Sequence, residues 1–93
     1  MILREADRLI VTAPLVMDNA RRLLEAGRAA FLDGEQVIDL GRVVEADSSA
    51  LAVMLGWMRA ASLSRSTVKF ANIPAGVLSL AELYGVAELL PLV

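Results

Sequence analysis

The run Asp47-Ser48-Ser49 sets a carboxylate and two hydroxyls directly ahead of a long apolar stretch. Two kinds of chemistry suit such a run. Side-chain oxygens of Asp or Ser accept hydrogen bonds from the free N–H groups at a helix start, so any of Asp47, Ser48 or Ser49 can serve as a cap. A serine hydroxyl can also act as a nucleophile or accept a phosphate. A nucleophile needs a base, and the chain has neither histidine nor cysteine. That removes the commonest general base, the commonest transition-metal ligand and all thiolate and disulfide chemistry. The base would have to be Lys69, the only lysine, or a carboxylate, and no oxyanion-hole motif accompanies the serines. Hydrolysis is the weakest reading. A metal site is limited to loose binding of a hard cation by scattered carboxylates, and no cofactor is implied.

The elements that position this run follow from periodicity. Ile2 to Glu5 and Arg8 to Thr12 read as short strands joined by a turn at Ala6-Asp7, and Pro14 ends the second. Val16, Ala20, Leu23, Leu24 and Gly27 recur at helical spacing, predicting an amphipathic helix from Met17 to Phe31, with Asp33-Gly34 as a turn. Gln36 to Leu40 and Thr67 to Ala71 are strands flanking a helix from Ser48 to Ser62, a βαβ unit with parallel strands and a right-handed crossover. Pro74 opens a third helix with Val77, Leu80, Ala81 and Tyr84 on its buried face. Gly85 stops it, and the tail from Val86 to Val93 packs back on the core. The expected fold is α/β: one domain over residues 1–93, a mixed four-stranded sheet with three helices in the order β-β-α-β-α-β-α.

The central helix breaks the usual pattern. Leu51, Met54, Leu55, Met58 and Ser62 share one face, suited to the sheet. Ala50, Val53, Trp57 and Ala61 share another, and Arg59 is the only charge from Ala50 through Ala61. A surface helix keeps a polar half. The chain is 57% hydrophobic and 22% charged over 93 residues, more apolar than so small a domain needs. One reading places the second face, with Trp57 at its middle, against another protein, since Trp is a favoured interface anchor. The other tucks Trp57 against the first helix or the tail.

Partners narrow further on charge. The net charge is −2 with no basic stripe, which disfavours nucleic acid and an electrostatic membrane anchor. The start of the chain lacks the basic, then apolar, character of a signal peptide. The longest apolar run, Ala50 to Met58, falls far short of the ~20 residues of a spanning helix. The expected location is cytoplasmic, with no direct membrane insertion.

A hydrophobic strand ending Val37-Ile38-Asp39-Leu40, then a short loop to Asp47-Ser48-Ser49-Ala50-Leu51-Ala52, resembles the signature of the STAS domain, a family named for sulfate transporters and anti-sigma-factor antagonists. The likeness covers nearly the whole chain. Leu78 to Val86 followed by Leu89-Leu90-Pro91 is similar to the MlaB type within that family. The resemblance implies a non-catalytic regulatory and assembly subunit that sits at the inner membrane only through its partner. That partner is the (MlaF-like) ATPase subunit of a bacterial ABC transporter for phospholipids, which maintains outer-membrane lipid asymmetry. It implies partner binding through Asp47, Ser48, Ser49, Ala50, Leu51 and Trp57, with Ser48 matching the hydroxyl residue that meets the ATPase. In the anti-sigma-factor antagonists the phosphorylated serine matches Ser49, and the alternative partner is an anti-sigma-factor kinase. Both patterns usually carry glycine where this chain has Ala50, which adds a methyl where a partner backbone would approach.

Overall fold

The computed structural model describes residues 1–93. Two short strands, β1 (Ile2–Glu5) and β2 (Arg8–Val11), form an antiparallel hairpin. Its two-residue turn places Ala6 at φ 55°. Helix α1 (Met17–Ala30) then leads to β3 (Gly34–Asp39), which pairs parallel with β2. Helix α2 (Ser49–Leu63) leads to β4 (Ser66–Ala71), parallel to β3. Helix α3 (Ala75–Leu83) and a 3-10 turn (Ala87–Leu89) complete the chain. The sheet order is β1-β2-β3-β4, so both helical crossovers step in the same direction. Right-handed connections then place α1 and α2 on one face.

Side-chain alternation shows which face that is. Leu9, Val11, Ile38, Val68 and Phe70 point to the helices and are buried. The other face carries ion pairs: Arg8 to Asp39 at 2.9 Å and Lys69 to Glu35 at 3.7 Å. Asp39 closes the end of β3. It accepts from the Gly41 N–H at 2.8 Å and from Asn72 Nδ2 at 3.1 Å besides Arg8. Burial opposes its charge, but these three donors outweigh that and hold its pKa below the usual aspartate value.

The expected α/β fold and element order are those observed, with ends shifted by a residue or two. Pro74 stands just before α3 as its N-cap. Gly85 terminates that helix at φ 72°, where a side chain would be strained. Tyr84 is a correction. It lies past the last helical turn and is 58% exposed, because the chain has left the helix before the residue can reach the buried face. The tail does pack back: Leu90 is buried, the Phe70 N–H donates to Pro91 O at 2.8 Å, and the Val93 N–H donates to Phe70 O at 3.1 Å. These bonds cover part of the outer edge of β4.

The central helix is a second correction. Its supposed partner face is core: Ala50 0%, Val53 3%, Trp57 0% and Ala61 1% exposed. Helix α1 covers that face. The Trp57 indole N–H donates to the Leu23 carbonyl at 3.1 Å, which satisfies its one polar atom in the interior. The indole lies over Gly27, where a Cβ would stand 2.2 Å from Trp57 Nε1. A domain this small covers more of α2 than composition suggests, because α1 lies over the Trp57 face and only Ala52, Arg59, Ser62 and Leu63 of the helix stay exposed.

Candidate functional site

Two loops that precede helices run side by side on one end of the sheet. The segment before α1 and the segment before α2 are joined as a short parallel bridge between Leu15 and Ala46. The Leu15 N–H donates to Glu45 O at 2.9 Å, and the Asp47 N–H donates to Leu15 O at 3.0 Å. Met17 and Ser49 therefore start their helices as neighbours, and α1 and α2 run parallel from there, since Gly27 meets Trp57 between two and three turns on in each.

Parallel helices bring two positive dipole ends together, along with the free N–H groups of both first turns. Asp47 answers both. Its Oδ2 accepts from the Met17 N–H at 3.0 Å, and its Oδ1 accepts from the Ser49 N–H at 2.8 Å and from the Ser49 hydroxyl. Neither helix has a side-chain cap from the residue just before it, so Asp47 is the cap for both. The Ser49 hydroxyl, then the Met17 and Ser49 N–H groups, stabilise the carboxylate and hold its pKa below the usual value, with a smaller opposing effect of burial. A carboxylate held this low is a poor general base. It is also the only acid that either serine engages.

The three members of the run thus differ. Asp47 is structural and half-exposed. Ser49 is half-buried with its hydroxyl spent on Asp47. Ser48 is exposed, and its hydroxyl has no partner within the chain. Ala50 and Leu51, expected at the contact, are 0% and 5% exposed. They present almost no side-chain surface, and neither does Trp57 at 0% exposed. The structure brings Asp47, Ser48 and Ser49 together and leaves Ser48 alone facing outward.

Two further exposed residues, not singled out as site residues in the sequence, lie on the same pair of loops. Met17, tied through its N–H to Asp47, is 71% exposed, and Val44, four residues before Ser48, is 96% exposed. The available signal was the pair Val43-Val44 in a loop, of which one packs inward (Val43, 8% exposed) and the other does not. Beside them a cleft of about 320 Å³ opens between the loop and α3, lined by Val44, Pro74 and Leu80 among others. The two bridged loops thus carry exposed apolar side chains, Met17 and Val44, and one free hydroxyl, Ser48.

No group of three or more His, Cys, Asp or Glu side chains comes together to hold a metal ion. No helix is long and apolar enough to cross a membrane. No curated protein matches the chain. The family model described as "Mlab, STAS domain" matches residues 2–91. With the mixed sheet, the Asp47 loop and the apolar α2 all in place, the chain belongs to the MlaB-type STAS domain family.

Proposed function

We propose that this domain is a non-catalytic regulatory and assembly subunit that binds the ATPase of a bacterial ABC transporter for phospholipids. Ser48 is its central contact. One observation carries the reading: Ser48 offers an unpartnered, exposed hydroxyl on a loop whose shape is fixed from both sides by Asp47. A contact on such a loop costs little ordering entropy, because the loop is already held at both helix starts. Met17 and Val44 add apolar area to the contact. Binding regulates the ATPase only to the extent that one of its conformations is bound more tightly, and a tenfold preference corresponds to about 1.4 kcal/mol.

The test is co-purification from native cells of tagged wild-type protein and its Ser48→Glu variant. The expected result is an ABC ATPase with its membrane subunit in the wild-type sample and loss of both from the variant. Equal recovery with the variant removes Ser48 from the contact. Recovery of a kinase-like anti-sigma factor instead would make Ser49 the residue of interest, although a phosphate there must first displace its hydroxyl from Asp47.

A further inference from the structure

Helix α2 separates two surfaces that complement each other. On the flank facing α1, Leu24, Arg28, Gly56, Arg59 and Leu63 line a groove of about 260 Å³. Gly56 lets the Leu24 side chain lie against α2 at the groove wall, since a Cβ there would come within 2.8 Å of Leu24 Cδ1. Leu63 stands 83% exposed at its end. Arg28 is paired with Glu25 at 3.4 Å, whereas Arg59 enters none of the ion pairs and is the uncancelled charge of the groove; no acidic residue occurs from Ala50 through Ser66. On the opposite flank, Met58 and Ser62 face the C-terminal tail at Pro91. The neighbouring segment Glu82 to Leu89 exposes Leu83 (76%), Tyr84 (58%) and Leu89 (58%). Glu82 and Glu88 are also exposed and unpaired, and no cation occurs from Ile73 through Val93.

We propose that the basic groove beside Arg59 docks the acidic, apolar Glu82–Leu89 segment of a second copy of this chain. The apolar anchors on each side supply the attraction, and the uncancelled charges set register and exclude like ends. The two surfaces lie on opposite flanks of α2, so one molecule cannot satisfy itself. A contact between unlike surfaces is heterologous, and each pair keeps one groove and one acidic end free for further copies. The Ser48 surface is not used, so the proposal stands independently of the transporter reading.

Sedimentation velocity of the purified chain tests it. The expected result is a sedimentation coefficient that rises with protein concentration at ~20 mM salt and falls back at ~0.5 M, where charges beyond a few ångströms are screened. Arg59→Glu alone, or Glu82→Arg with Glu88→Arg, weakens association at least about tenfold. A mixture of the two variants restores association, because the acidic end of one meets the unchanged groove of the other and the two reversed surfaces also carry opposite charge. Leu63→Ser, which leaves every charge in place, also weakens association and serves if a charge variant fails to fold. A chain that stays monomeric at every concentration and salt overturns the proposal. So does self-association that these variants do not change, or a mixture that restores nothing.

Discussion

Trp57 shows what a single position can hide. A helical wheel tells which residues share a face but not what stands opposite, so an apolar face with a Trp reads equally as core or as contact. The deciding residue was Gly27, on another helix, whose missing side chain makes room for the indole. Nothing in the local sequence of either residue pairs them. The pairing makes a prediction. Gly27→Ala drives a methyl into the rigid, buried indole and is expected to cost about 3 kcal/mol, the upper end for overpacking, against a gain of ~1 kcal/mol from helix propensity. In a Trp57→Leu background the same change is expected to be neutral or stabilising, and urea denaturation of the four variants measures the coupling. Additive effects would mean that the two side chains do not compete for the same space. Trp57→Ala is expected to cost about 3–5 kcal/mol as a core truncation, with its effect on partner binding following from unfolding.

The strands and helices themselves were legible, since their periods and their Gly and Pro boundaries are local properties. The Asp-Ser-Ser run was legible as a cap for α2, but its reach to α1 was not, because the Leu15–Ala46 bridge that aligns the two helix starts joins residues 31 apart in sequence (46 − 15). That shared cap has a pH signature. Asp47 and Asp39 both have folded pKa values below the ordinary 3.8. Above that value both are charged whether folded or not, and their stabilisation is fully present. As pH falls below 3.8 the unfolded chain takes up protons first, and the stabilisation is lost until the folded carboxylates protonate as well. Asp47→Asn is expected to remove the Asp47 share of this acid-side loss. It is also expected to raise amide exchange at Met17 and Ser49 together, read by two-dimensional NMR. Faster exchange at Ser49 alone would show that the two helix starts are capped separately.

Taken whole, the molecule is a sheet with helices gathered on one face, a connected pair of loops at one end, and charges sorted between the flanks of α2. Composition predicted an exposed apolar surface, and one exists. It lies in scattered side chains such as Val44, Leu63 and Leu83 rather than on the helix chosen for it, because exposure depends on which elements pack together and not on local hydrophobicity. The strand order has a mechanical consequence. It places residue 1 at the β1 edge and residue 93 beyond β4, so tension applied between them crosses the full width of the sheet. At the β4 edge the load meets the two hydrogen bonds between Phe70 and the tail, 2.8 and 3.1 Å long, while the hairpin holds the other edge along four paired positions. In optical tweezers the tail is expected to peel away in a small first step, ahead of the main rip. A single rip from the folded length would make the tail part of the mechanical core. On the expected outcome, a pulled molecule yields from its C-terminal side first, and the Asp47 loop comes under strain only after that edge has been laid open.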